Sequence, residues 1–164
     1  MLRYIRIAAP IAILLCIPLF VASIFKVSGS SMEPIISHNS RVWIRVSAYD
    51  IRVPGTDLRL IPLRDPAAGD IVLLSHPRTG EAILKQVVGT PLQHLDLQNG
   101  SGQIGSYRFD LPNSSTLRLY SRVPPGYYMV LGTNQAASQD SRHFGFVPRE
   151  AIRGKVLGIR HNGR

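Results

Sequence analysis

The 164-residue chain holds a single cysteine, a single tryptophan and few lysines. Cys16 alone cannot close an internal disulfide or build a cysteine metal cage. The histidines, His38, His76, His94, His143 and His161, show none of the paired spacings of zinc sites, so no metal or other cofactor is expected. Acidic residues are also scarce, ten against nineteen basic ones, which leaves a net charge of +9. The basic residues are scattered, with no Lys/Arg block and no nucleic-acid module. Nucleic acid is therefore not expected as a partner, and a basic face lying against anionic lipid headgroups reads at least as well. There is no internal repeat and no long low-complexity tract.

Charge is missing altogether between Ile7 and Phe25. As a helix this stretch would span roughly 28 Å at 1.5 Å per residue, close to the hydrocarbon thickness of a bilayer. It reads as a transmembrane helix, with residues 1–26 as an N-terminal membrane anchor. Pro10 and Pro18 are tolerated better there than in an exposed soluble helix. The competing reading is a cleaved signal peptide with Val21-Ala22-Ser23 near the cut, although its apolar region would normally be only about 7–15 residues. Arg3 and Arg6 favour a cytoplasmic N-terminus and a body on the extracytoplasmic side of the membrane.

Residues 27–164 lose helical periodicity. Short apolar runs at Arg41–Val46, Ile71–Leu74, Ala82–Val88, Thr116–Tyr120, Tyr127–Leu131 and Ile152–Ile159 are separated by turn residues such as Gly69-Asp70, Thr79-Gly80 and Pro124-Pro125-Gly126. These runs predict a mostly β, partly closed barrel-like domain. The Asn-, Gly-, Ser- and Gln-rich segment at about residues 93–115 reads as an accessory loop or small lobe.

Two residues carry the chemistry. Ser31 lies in Ser28-Gly29-Ser30-Ser31-Met32-Glu33-Pro34, where Gly29 permits a tight backbone approach and Pro34 disfavours helix at Glu33. A hydroxyl needs a base to take its proton and backbone N–H groups to hold the oxyanion, so this run alone fits a nucleophile or a Ser/Gly-rich linker. Lys85 stands between Ile83-Leu84 and Val87-Val88, and in a strand it shares a face with Ile83 and Val87. If that face is buried, desolvation lowers the amine pKa and the lysine can act as a base, which arginine could not. The competing reading is a lysine that snorkels to solvent from a sheet edge.

A third segment, from Gly132 to Gly145, gathers short polar groups after the strongest strand. Ser31-Met32-Glu33-Pro34, Gly69-Asp70-Ile71-Val72, Lys85-Gln86-Val87-Val88-Gly89 and Ser138-Gln139-Asp140-Ser141-Arg142 occur in the order seen in type I signal peptidases, and this resemblance covers nearly the whole chain. It implies a β-rich endopeptidase that removes signal peptides from exported preproteins, with membrane lipid as its other partner. Carried over, Ser31 resembles the nucleophile and Lys85 the general base. Ser138 resembles the hydroxyl that orients the lysine amine, and Asp140 with Arg142 resembles a supporting ion pair. The Ser31 backbone N–H would be one oxyanion donor, and Met32 would help line the substrate groove.

The sequence departs from the family pattern at three places. Gly29 stands where some members place a serine that donates a second oxyanion hydrogen bond. Gly132-Thr133-Asn134 replaces Gly-Asp-Asn, and Thr90-Pro91-Leu92-Gln93 replaces Leu-Pro-Gly-Asp. A peptidase maturing pilin or conjugation proteins, and the mitochondrial inner-membrane type, are the specialised alternatives. A LexA-like self-cleaving repressor lacks its DNA-binding domain here. From another class, a catalytically inactive membrane-bound module that captures extended peptides fits the same sequence.

Overall fold

The computed structural model describes residues 23–52, 58–98 and 100–161. Most of the apolar stretch read as a membrane helix, residues 7–22, lies outside these. Among the described residues no helix is long and apolar enough to cross a membrane. The end of the expected anchor has a different structure: Ser23–Lys26 form strand β1, in register with β2, Arg41–Arg45. Backbone groups assigned by the sequence reading to a helix are therefore used in a sheet ladder, so Ser23–Lys26 belong to the folded body.

The chain is mostly β, as its turn-punctuated apolar runs predict. After β2 come a short hairpin, β3 (Asp50–Arg52) and β4 (Arg59–Pro62), and then the central pair β5 (Ile71–Ser75) and β6 (Ala82–Gly89). A lobe of β7 (Asp96–Gln98), β8 (Ser101–Ile104) and β9 (Tyr107–Asp110) follows. Next are β10 (Tyr127–Leu131), the one-turn helix α1 (Ser141–Phe144), β11 (Val147–Pro148) and the long β12 (Ile152–Arg160). The main sheet runs β1-β2-β12-β5-β6-β10-β11, antiparallel throughout, and curls into a half barrel. Register shifts at Met129/Val130, Ile152/Gly154 and Val156/Gly158 sit where curvature is needed, since a bulge bends and twists a strand.

Buried apolar clusters pack against the sheet. Val72, Leu74, Val87, Tyr128, Val130 and Ile152 form one apolar cluster, and Val27, Met32, Ile36, Val42, Ile44 and Leu73 form another beneath the loop that carries Ser31. A third cluster, including Val88, Leu95, Ile104, Phe109 and Met129, joins the three-stranded lobe to the ends of β6 and β10. The segment read as a loop or lobe thus contains its own small sheet packed on the main one. A cluster of buried charge ties the β3–β4 hairpin down: Asp50 pairs with Arg52 at 2.7 Å, Arg149 at 2.8 Å and Arg59 at 3.1 Å. Burial alone would push the Asp50 carboxyl up, but the Arg149 and Arg52 guanidinium groups outweigh it and hold the carboxyl below its usual range.

One run takes a different form from the sequence expectation. Thr116–Tyr120 alternates like a strand, yet Thr116–Leu119 is a 3₁₀ turn begun by Ser115, whose hydroxyl accepts the Leu117 N–H. Strand periodicity would place Leu117 and Leu119 on one face; the turn buries Leu117 completely and leaves Leu119 81% exposed. Accordingly, Leu117→Ala should cost about 2–5 kcal/mol of unfolding free energy and Leu119→Ala less than about 0.5 kcal/mol. Denaturant titration of the two variants measures the contrast, and equal losses would contradict the turn.

Candidate active site

Ser31 is held in a loop closed at its base by β-type bonds, Val27 N–H to Ser40 O at 2.9 Å and Asn39 N–H to Val27 O at 2.9 Å. Within it, Glu33 N–H reaches Ser30 O and Ile36 N–H reaches Met32 O, while buried Met32 and Ile36 pin the loop to the core. Gly29, at φ +98°, donates its N–H to His38 Nδ1 at 3.0 Å, and the His38 N–H goes to Glu33 Oε1 at 3.3 Å. The far side is held by the segment after β10: Asn134 N–H donates to Ser31 O at 3.1 Å, and Thr133 Oγ1 donates to Glu33 O at 2.9 Å.

Lys85 comes from β6, directly opposite Val72 on β5, and is only 3% exposed. Its Nζ lies 3.0 Å from Ser31 Oγ. Burial lowers the pKa of the amine; Asp140 opposes that shift and Arg142 adds to it. An apolar strand has thus carried a lysine into the core and ended it against a hydroxyl, a geometry in which a neutral amine can accept that hydroxyl's proton.

Asp140 is fully buried and saturated with donors. Its Oδ1 receives the Arg142 Nε at 2.8 Å and the Arg142 N–H at 3.2 Å; its Oδ2 receives the Gly132 N–H and Arg142 Nη2, both at 3.0 Å. The same carboxylate therefore caps helix α1, pairs with Arg142 and fixes Gly132. Ser138 lies close by but is not bonded to the lysine: its Oγ is buried and makes no hydrogen bond. It packs on Gly132, where an added Cβ would lie 2.2 Å from Ser138 Oγ and 2.6 Å from Ser31 O. No side chain fits between them, so glycine is needed there.

The sequence reading named Gly132, Thr133 and Asn134 only as an altered motif. It did not foresee that this stretch grips the Ser31 loop, nor the parts played by His38 and Gln135. Polar residues in turns gave no signal that separated such clamps from ordinary surface. A groove of about 170 Å³ opens beside the Ser31–Lys85 pair, between Phe25–Ser28 on one wall and Ala82–Lys85 on the other, with Met32 and Leu73 in its lining. A larger concavity, about 320 Å³, lies on the polar face of the three-stranded lobe around Asp96, Gln103 and Arg108.

Comparison with known proteins reaches the same family. The profile of the family described as "Signal peptidase, peptidase S26" matches residues 1–159. This chain belongs to that family. The chain is 30% identical over 148 residues to a probable signal peptidase I-2 of Synechocystis, covering 84% of this chain and 62% of that protein. It is 31% identical over 159 residues to signal peptidase I of Bacillus caldolyticus, covering 84% and 79%. Among solved structures, a signal peptidase I from Enterococcus faecalis superposes with a TM-score of 0.47 at 25% identity, over 58% of this chain and 99% of that one.

At Gly29, where some members of the family place a serine, nothing replaces that hydroxyl donor. Gly29 has no side chain to donate, and its N–H is already taken by His38. Among the described residues none accepts the Ser31 N–H, which leaves that donor free for an incoming group.

The buried amine also has a consequence for stability. Its pKa is lower in the folded protein than in the unfolded chain, so its burial penalty is full below the folded pKa. The penalty shrinks as pH rises toward the unfolded value of about 10.4 and vanishes above it. Lys85→Met should therefore melt at a higher temperature than the parent at neutral pH, with the gap narrowing toward pH 10. Melting curves across that range measure it, and a gap that widens with pH would contradict a desolvated amine.

Proposed function

We propose that the chain is a membrane-bound serine endopeptidase that removes signal peptides from exported preproteins by a Ser31/Lys85 dyad. The observation that carries this reading is the 3.0 Å approach of a buried lysine amine to a serine hydroxyl, in a member of the signal peptidase family. Ser31 Oγ attacks the scissile carbonyl carbon while its proton passes to neutral Lys85 Nζ. The resulting oxyanion takes a hydrogen bond from the Ser31 N–H. Collapse expels the new amino terminus, which receives its proton from Lys85, and leaves the signal peptide's carboxyl end as an ester on Ser31. Lys85 then deprotonates water, water opens the ester, and the proton returns to Ser31. The Asp140–Arg142 pair sets the charge around the amine. No cofactor enters the scheme.

The groove suits an extended peptide laid between two stretches of β-type backbone. Its walls come from Phe25, Val27, Ile83 and Leu84, and its small volume favours short side chains next to the cut. The membrane part of the reading rests on the uncharged stretch before β1 and on one exposed face of the sheet. Ile24 and Trp43, 65% and 52% exposed, are cross-strand partners there. The adjacent row across β1, β2 and β12 is Lys26–Arg41–Arg160, three cations in register with no ion pair among the described residues. Like charges opposite one another destabilise a sheet unless something external offsets them, and anionic headgroups beside an interfacial tryptophan would do so. The catalytic domain then lies on the extracytoplasmic side of the inner membrane, held by one N-terminal span.

Ser31→Ala and Lys85→Ala should each lower kcat for preprotein cleavage by on the order of 10³-fold or more while the protein stays folded. In the parent, the rate should rise through alkaline pH as the amine loses its proton, and a verified Lys85→Ala enzyme with full activity would sink the dyad. Trp43 is the only tryptophan, so its fluorescence reports one face of the protein. With the whole chain in vesicles, brominated lipid should quench Trp43 more in anionic than in zwitterionic bilayers. Replacing Lys26, Arg41 and Arg160 by Gln should remove the difference; an unquenched Trp43 in both bilayers would contradict lipid contact.

A further inference from the structure

Gln135 begins a 3₁₀ turn, Gln135–Ala137, between the Ser31 clamp and Ser138. Its side-chain amide faces the edge of the three-stranded lobe. Nε2 donates to Arg108 O at 3.0 Å and Oε1 accepts the Asp110 N–H at 3.3 Å. Arg108 and Asp110 are alternate residues of β9, one of the two edge strands of the β7-β8-β9 sheet, so the carboxamide pairs with that edge as a neighbouring strand would. The same residue also holds Arg142. Its backbone O accepts Arg142 Nη2 at 2.7 Å, and its Oε1 accepts Arg142 Nη1 at 3.3 Å.

Arg142 is thus fixed from two sides, by the Asp140 carboxylate and by Gln135. The charged groups whose fields reach Lys85 are this pair, with opposite effects: Asp140 favours the protonated amine and Arg142 the neutral one. His143 faces the same carboxylate at 3.8 Å from Asp140 Oδ1. An arginine held by a carboxylate alone could pivot on it; one held also by a carbonyl and a carboxamide cannot. The position of the guanidinium relative to Lys85 is then tied, through one glutamine, to a strand that contributes nothing else to the site.

We propose that Gln135 is a positioning residue that couples the edge of the three-stranded lobe to Lys85 through Arg142. The lobe acts as a fixed anchor for the active-site charge, and its displacement by a bound partner would be felt at the amine. The catalytic meaning of this link rests on the Ser31/Lys85 reading; the link itself does not.

Gln135→Met keeps the length of the side chain and the backbone carbonyl but removes every side-chain hydrogen bond. Arg142 then loses its Nη1 partner while the Gln135 carbonyl still holds Nη2, so the guanidinium can pivot, Asp140 acts on Lys85 with less opposition and the amine holds its proton to higher pH. The midpoint of the pH profile of kcat/KM should move alkaline by about half a unit, a loss of about threefold below the midpoint, with the high-pH plateau changed by less than about twofold. The same midpoint can be read without turnover, from the pH dependence of Lys85 carbamylation by cyanate followed by mass spectrometry. Hydrogen exchange at the Asp110 amide should quicken in parallel. A uniform fall in rate with an unshifted midpoint, an acid shift, or a profile identical to the parent would each overturn the proposal. Activity surviving in Ser31→Ala would instead overturn the dyad, and the cyanate midpoint would still test Gln135.

Discussion

An amine removed from water and placed against a hydroxyl is the constraint on which this structure turns. Burial of Lys85 disfavours its charged form, and that bias would be cancelled by a nearby unbalanced carboxylate. Asp140 is such a carboxylate, fully buried in the same region. Its charge is tolerable because Arg142 covers both of its oxygens, and the pair presents the lysine with two opposed fields rather than one. The donors on Asp140 therefore serve the amine as much as the carboxylate.

The same constraint explains why the site is assembled from three distant stretches. Residues 31, 85 and 132–142 belong to a loop, a central strand and the segment after β10, and only a curled sheet brings them together. Its bulges supply the curl, and the Ser31 loop closes over the open side, pinned below by Met32 and Ile36 and gripped laterally by Thr133 and Asn134. Gly132 is where this assembly is tightest. A methyl group there would collide with both Ser138 and the Ser31 carbonyl, so the backbone of one stretch packs directly on the backbone of Ser31.

Sequence patterns revealed those parts in which chemistry and periodicity coincide. Lysine in an apolar strand and serine beside glycine are local signals, and β2, β5, β6, β10 and β12 were legible because their apolar runs end in turn residues. Alternation misled at Thr116–Tyr120, where a serine hydroxyl made a 3₁₀ turn cheaper than a strand. Hydropathy blurred residues 23–26, which continue the apolar composition before them yet pair with β2. The clamps made by His38, Gly132, Asn134 and Gln135 left no trace, because each depends on a partner brought near only by the fold. Ser138 shows the opposite difference: the resemblance implied a bond to Lys85, whereas its hydroxyl is buried and unengaged.

The division of labour between the two cationic residues follows from their chemistry. Where the fold needs a permanent buried charge, it uses arginine: Arg52 and Arg149 on Asp50, and Arg142 on Asp140, each with several donors on one carboxylate and further bonds to main-chain carbonyls. Guanidinium suits these places because it stays protonated and its forked geometry matches a carboxylate. The lysines occupy other positions. Lys155 pairs with Asp70 across the sheet, Lys26 stands on the rim of the groove, and Lys85 alone is buried with no carboxylate bonded to it. An arginine at position 85 would keep its proton and need a counter-ion; a lysine there can give the proton up. In a chain so rich in arginine, the one buried cation among the described residues without a bonded carboxylate is also the one whose charge can be switched off.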